Sequence, residues 1–354
     1  MTTNAERLIP STMHAVVLTA HGGFDCLEFR TDVAVPLPQH GEVLIRIGAA
    51  GINNTDINTR IGWYADSVTD DADAGWTGTA FAFPRIQGAD ACGTIVAVGA
   101  GVDSSRIGNR VLVEPCLRES SGWVPYEAQY FGSECDGGFA EFATAPSVHA
   151  HRVESDMSDV ELASFPCAYS AAENMLTRIA LTQGETVLIT GASGGVGSAA
   201  VQLAKRRGCR VIAIAATSKL DQLIDLGASV TVARDRDLLD AIGRETVDVV
   251  IDVVGGPQWP TLLDVLKRGG RYAAVGAIAG PLVQLDLRTL YLKDLRLVGC
   301  TVLDPDVFAN LVSYIERGEI QPLVSAVFPL SNIVEAQQHF LSKQFLGKIV
   351  LVPD

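Results

Sequence analysis

The chain lacks an excess of positive charge. Its 27 Lys and Arg stand against 41 Asp and Glu, giving a formal net charge of −14 over 354 residues. Nucleic acid and anionic membrane surfaces are held through basic faces, so neither is expected as a partner, although a local basic pocket for one phosphate remains compatible. No stretch approaches the roughly 18 consecutive apolar residues of a membrane span. The opening MTTNAERLIPSTM also lacks the apolar core of a secretion signal, and a cytoplasmic location is the default expectation. Seven cysteines are odd in number, scattered and never spaced C-x-x-C, which argues against a disulfide framework and a zinc knuckle and for reduced thiols. Aromatic residues are 6% and charged residues 19% of the chain, against 48% hydrophobic residues and 34 glycines. That balance, at this length, is that of a globular α/β protein of about two domains.

What is present is concentrated in TVLITGASGGVG, residues 186–197. An apolar, β-branched run ends in a glycine cluster, and SAAVQLAKRRG continues it with helical character. A strand, a glycine loop and a helix in succession bind dinucleotides. Gly194 and Gly195 let backbone approach a pyrophosphate with no Cβ in the way. Gly197 lets the helix pack close to the strand, and the helix N-terminus offers unpaired N–H groups to the phosphates. Ala192 stands where the first glycine of G-x-G-x-x-G would be. Ser193 and Val196 complete the loop as candidate cofactor contacts.

The periodicity divides the chain. Residues up to about 155 read mostly as strands: HAVVLTA, CLEFRTDVAV, EVLIRIGAAG, GTIVAVG and NRVLVEP. Beyond residue 160, strands and helices alternate: TVLIT, a helix to Arg207, CRVIAIAA, KLDQLIDLGA, SVTVA, DLLDAIG, VDVVIDVVGG, a helix over PTLLDVLKRGG, and RYAAVGAI. This is the rhythm of a doubly wound parallel sheet. LRLVGCT supplies a sixth strand at the sheet edge, and the last 50 residues return to helix, strand, helix, strand. Residues 62–83 are acidic, Gly-rich and aperiodic, a long loop that is either a solvated excursion or a lid.

The strings MHAVVLTAHGG, GEVLIRIGAAGINNTD, GADACGTIVAVGAGV, GNRVLVEP, DGGFAEFA, TVLITGASGGVGSAAVQLA and the terminal GKIVLV resemble the medium-chain dehydrogenase/reductase superfamily. GASGGVG is most similar to its quinone oxidoreductase branch, which includes zeta-crystallin. The resemblance implies an α/β protein with a mostly-β GroES-like catalytic domain, residues 1–158 completed by 304–354, and a Rossmann NADP-binding domain, residues 159–303. It implies hydride transfer and points to a homodimer, for which edge pairing of LRLVGCT with its twin is a sound solution.

In zinc-dependent relatives a Cys/His/Cys set holds the metal. The matching positions here are Asn53, Ala89 and Cys167, of which one can ligate, so no metal is expected. A distorted site recruiting Asp90 and Asp56 beside Cys167 is the alternative. The region matching the structural-zinc lobe holds two cysteines, Cys116 and Cys135, rather than four. Without a metal, the charge developing on a carbonyl oxygen must be met by hydrogen-bond donors. The resemblance points to the amide of Asn53 and the hydroxyl of Thr55. Tyr64, whose phenol has a high intrinsic pKa, is either a proton donor or a packed loop aromatic, since the quinone-reductase relatives often carry their tyrosine where Asn58 stands here. Asp56 reads as a turn-holding carboxylate.

The segment after the second Rossmann strand contains no acid to hold a ribose 2′-hydroxyl, while Thr217, Ser218 and Lys219 can receive a 2′-phosphate, so NADP(H) is expected over NAD(H). Val254, Val275 and Gly276, in the next strand runs, are further candidate cofactor contacts. The leading expectation is an NADPH-dependent reductase of quinones or α,β-unsaturated carbonyls acting on a small-molecule substrate. A zinc-type alcohol or aldehyde dehydrogenase with an atypical metal site, and a non-catalytic NADPH-binding protein of the crystallin kind, are the alternatives.

Overall fold

The computed structural model describes residues 9–66, 81–118 and 126–354. Most of the aperiodic stretch read as a loop or lid, residues 67–80, lies outside the described residues. Two compact units emerge. The first comprises residues 1–167, 322–344 and 348–354, and the second residues 168–321 and 345–347. The boundaries expected from sequence, 158 and 304, are thus displaced. Residues 304–321 stay with the second unit because its own side chains hold them. Arg178 and Asn174 bind Asp304, and the Tyr314 hydroxyl donates to Glu173 at 3.3 Å.

The second unit is built on a six-stranded sheet. Its spatial order is Val230–Ala233, Arg210–Ala215, Thr186–Ile189, Val247–Asp252, Leu266–Ala274, Arg296–Gly299, and every neighbouring pair is parallel. Chain order reverses between Thr186–Ile189 and Val247–Asp252, the switch point at whose carboxyl end ligands bind in such sheets. The central strands are apolar throughout because helices cover both faces. Val187, Leu188, Ile189, Val249, Val250 and Ile251 are fully buried. One expected element differs. The helix over PTLLDVLKRGG stops early, as Trp259–Asp264, and Leu266–Gly270 begins the strand Leu266–Ala274. Gly269 at φ +72° takes a backbone conformation that a helix cannot use, and Leu266 is buried in the sheet.

The first unit is mostly β. A seven-stranded sheet runs in the order Ala150–Arg152, Arg110–Val113, Cys92–Val98, Glu42–Gly51, Lys348–Val352, Val324–Pro329, with Phe142–Pro146 also pairing Glu42–Gly51. A three-stranded sheet joins Leu27–Ala34, Thr12–Leu18 and Arg85–Ile86. The end of Glu42–Gly51 is the junction that matters. Gly51 and Ala50 pair with Val350 and Leu351 of the C-terminal strand, so the last residues of the chain are delivered beside Asn53.

Candidate active site

In the first unit, the strand Glu42–Gly51 gives way to Asn53, the cap of the helix Asn54–Arg60. Asn53 has extended backbone, and the carboxylate of Asp56, at the third helical position, accepts its N–H at 2.7 Å. Asp56 therefore holds the turn, as its position suggests. Burial pushes its carboxyl up to about 7, with Asp90 adding to the rise and the Asn53 N–H and Lys348 opposing it.

The Asn53 side chain faces inward. Its Nδ2 donates to Asp90 Oδ2 at 2.9 Å and, more weakly, to the Gly51 carbonyl at 3.4 Å, while its Oδ1 accepts from Lys348 Nζ at 2.5 Å. Lys348 Nζ also lies 2.7 Å from Asp90 Oδ2, and the second Asp90 oxygen accepts the Cys167 N–H at 2.6 Å. Lys348 and Asp90 are both buried. The amide expected to face a substrate oxygen is thus spent on a buried ion pair, and this corrects the donor role given to Asn53. The reason is local: Lys348 offers only donors and a carboxylate only acceptors, so the amide that bridges them has one possible orientation.

Thr55 and Tyr64 are brought together. The Tyr64 hydroxyl donates to Thr55 Oγ1 at 3.2 Å, and Asn58 Nδ2 reaches the Tyr64 oxygen at 3.5 Å. Tyr64 is half-buried, and burial raises its phenol above the ordinary range. Asp90 and Lys348 were missed as functional residues. The available signal was a lysine opening the otherwise apolar strand KIVLV, because a cation in a buried strand requires a partner.

In the second unit, the loop residues stand at the carboxyl end of the sheet. Gly194 caps the helix Gly195–Arg206 and is exposed. A Cβ placed on it would meet nothing nearer than the Gly191 carbonyl at 3.5 Å, whereas one on Gly197 would come within 2.2 Å of that carbonyl. Gly197 thus serves the packing of helix on strand, and Gly194 leaves open the space that a pyrophosphate takes at a helix N-terminus. Ser193, Gly195 and Val196 are half-buried around it. Thr217 and Ser218 are exposed at the end of Arg210–Ala215. Lys219 is buried, and its Nζ donates to the Phe345 carbonyl at 2.6 Å. Burial and the charge of Arg234 lower its pKa.

The last candidate contacts are held by a residue that sequence reading passed over. Asp252, fully buried, accepts from Thr190 Oγ1 at 2.5 Å, from the Tyr272 hydroxyl at 2.6 Å and from the N–H groups of Val254 and Gly255 at 2.9 and 3.1 Å. It fixes the loop carrying Val254. Val275, whose N–H donates to the Asp252 carbonyl at 3.3 Å, and Gly276 follow the neighbouring strand.

Residues 39–155 match the alcohol dehydrogenase GroES-like domain, and residues 195–317 match the zinc-binding dehydrogenase domain. A solved chain from Sinorhizobium meliloti 1021, provisionally named an alcohol dehydrogenase, is 48% identical, with 98% of each chain covered and a TM-score of 0.93. The chain belongs to the medium-chain dehydrogenase/reductase superfamily, in its quinone oxidoreductase branch. Human quinone oxidoreductase is 26% identical over 96% of this chain and 98% of its own length. The chloroplastic NADPH-dependent alkenal/one oxidoreductase of Arabidopsis thaliana is 27% identical over 99% of this chain and 82% of its own length.

Membership of this superfamily raises the question of zinc, and the donor set here does not fit that ion. Asn53 Oδ1 and Asp90 Oδ2 are both taken by the Lys348 ammonium. Ala89 offers a methyl group. The Cys167 thiol is buried, and burial and the nearby Asp90 raise it well above its ordinary range. A dication would have to displace a buried ammonium and draw on an amide and a protonated thiol, when catalytic zinc takes three imidazole, thiolate or carboxylate ligands.

Proposed function

We propose that this oxidoreductase is an NADPH-dependent, zinc-independent reductase of quinones or α,β-unsaturated carbonyls. The observation that carries the reading is the Tyr64–Thr55 hydroxyl pair beside a turn whose metal-ligand positions hold Asn53, Ala89 and Cys167, with the Asn53 amide engaged by the Lys348–Asp90 pair. Bound NADPH supplies the hydride that reduces the electrophilic carbon. The chain's own work is to bind, to orient and to deliver a proton. Gly194 and the N-terminus of Gly195–Arg206 receive the pyrophosphate, Val254, Val275 and Gly276 line the cofactor, and Thr217, Ser218 and Lys219 receive the 2′-phosphate.

At the reacting oxygen, Thr55 accepts a hydrogen bond from Tyr64, so its own hydrogen is free to point at a developing enolate or quinol oxygen. Tyr64 then refills Thr55. Its raised pKa keeps the phenol protonated at neutral pH, as a donor must be. Conjugated substrates suit this arrangement because their negative charge is delocalised and neutral donors can meet it. Saturated alcohols, which need a Lewis acid to stabilise an alkoxide, suit it poorly. The enzyme acts in the cytoplasm as a homodimer. Support for the dimer comes from the edge strand Arg296–Gly299, paired on one side only among the described residues, and from the neighbouring Leu282, Leu287, Tyr291 and Leu292, all more than half exposed.

The test is NADPH consumption with a panel of quinones and enones in the presence of a strong chelator. Turnover should survive chelation, and Tyr64→Phe should lower kcat about 100-fold, as for loss of a positioned proton donor, with the Kd for NADPH unchanged. Alcohol oxidation abolished by the chelator would establish the zinc-dehydrogenase alternative, and NADPH binding without turnover of any quinone or enone would overturn the reductase reading.

A further inference from the structure

A second polar cluster lies in the first unit, away from the residues used above. The strand Arg110–Val113 runs into Glu114, whose N–H donates to the His149 carbonyl at 2.8 Å. Beside it the edge strand Ala150–Arg152 carries His151, in register with Leu112. One carboxylate oxygen, Glu114 Oε2, lies 3.0 Å from His149 Nδ1 and 3.1 Å from His151 Nε2, and the other accepts from Arg118 Nη1. The side chains of Glu114 and His149 are 1% and 3% exposed, whereas His151 is 22% exposed and gives the cluster an open side.

We infer that Glu114, His149 and His151 form a binding site for a divalent transition metal ion such as Zn²⁺. Their three ligand atoms all lie within 4.8 Å of one another. Tetrahedral zinc with bonds of about 2.0–2.2 Å spaces its donors roughly 3.3–3.5 Å apart, so the Glu114 oxygen, 3.0 and 3.1 Å from the two nitrogens, would move out slightly to admit an ion in place of the imidazole protons. Two imidazoles and a carboxylate select the borderline transition metals over Mg²⁺ and Ca²⁺.

One further contact agrees. Arg118 grips the carboxylate oxygen that faces away from the imidazoles, the kind of outer contact that orients a ligating carboxylate. With an ion at Nδ1 the His149 hydrogen sits on Nε2, which is buried without a hydrogen-bond partner among the described residues, a cost that the metal bonds must exceed. The ion would fasten the edge strand Ala150–Arg152 to Arg110–Val113, with water at the fourth position on the open side. The site does not depend on the proposed reaction, because it shares no residue with the Asn53, Thr55 and Tyr64 group.

The experiment uses the full chain after chelator treatment and dialysis. Calorimetric titration with Zn²⁺ should show one ion per chain at micromolar Kd or tighter. Co²⁺ should give tetrahedral d–d absorption without sulfur-to-metal charge transfer, which separates this site from the seven cysteines. His151→Gln, at the partly exposed ligand, should weaken binding at least tenfold while circular dichroism and any NADPH turnover stay unchanged. His149→Ala gives the same loss if it folds, but the test does not need it. Absence of binding at millimolar metal, a thiolate charge-transfer band, or unaltered binding in His151→Gln would each overturn the inference.

Discussion

The two units of this protein make their sites from different materials. In the nucleotide-binding unit the site is largely backbone: a glycine loop, a helix N-terminus and strand ends that the parallel sheet lines up at one edge. In the mostly-β unit it is a network of polar side chains. Asn53 meets Asp90 across 37 positions of sequence, Cys167 meets Asp90 across 77, and Lys348 meets Asn53 across 295. A backbone site is local and tolerates change around it. A buried charged network is distributed, and each member leaves the others uncompensated when it is lost.

The comparison is broken most severely by Lys348→Met. Removing the ammonium strands the Asp90 carboxylate in the interior and should cost about 3–5 kcal/mol in urea unfolding, whereas adding Asp90→Leu should recover part of that loss, because neither charge of the ion pair then remains. An unchanged midpoint in the single variant would show that the network is not held by charge.

The glycine loop provides the contrast. Gly197→Ala should cost roughly 1–3 kcal/mol of stability, since its Cβ would come within 2.2 Å of the Gly191 carbonyl. Gly194→Val should leave the unfolding midpoint nearly unchanged and abolish binding of either nucleotide in calorimetric titration, because the side chain fills only the ligand's space. If both variants behave alike, the division between packing glycine and binding glycine fails.

Acidity sharpens the comparison within the mostly-β unit. Asp56 titrates near 7 in the folded protein against an ordinary value of 3.8. The folded state therefore holds a proton that the unfolded state has released between those values. Stability should fall as pH rises from about 4 to 7, by at most about 1.4 kcal/mol per pH unit from this group. Asp56→Asn should flatten that slope and raise the midpoint at pH 8 relative to wild type, while leaving pH 4 nearly unchanged. A slope that persists in the variant would assign the effect elsewhere. The smallest effect is expected at Lys219. Because its ammonium already donates to the Phe345 carbonyl, Lys219→Ala should weaken NADPH binding only about tenfold, as for loss of one charged contact, and NADH binding less. Equal losses for the two nucleotides would remove Lys219 from 2′-phosphate recognition.

The nucleotide-binding unit was legible because its architecture is written in local periodicity. Apolar runs closed by glycine, with helices between them, admit essentially one arrangement, and the parallel sheet then fixes which loops share an edge. Thr55 could be singled out as a hydroxyl in a polar cluster after an apolar strand, and the replacement of two of three metal-ligand positions could be read from Asn53 and Ala89. What the sequence could not supply was the partner of each polar group. The helix over PTLLDVLKRGG gave way to strand once Leu266 had a sheet to enter. Asn53 became a bridge rather than an oxyanion donor only because the C-terminal strand pairs with Gly51 and Ala50 and lays Lys348 against Asp90. Local pattern determines which elements form, since that depends on neighbours within a few residues. Where a buried donor finds its acceptor depends on contacts hundreds of residues apart, and those exist only once the chain has closed on itself.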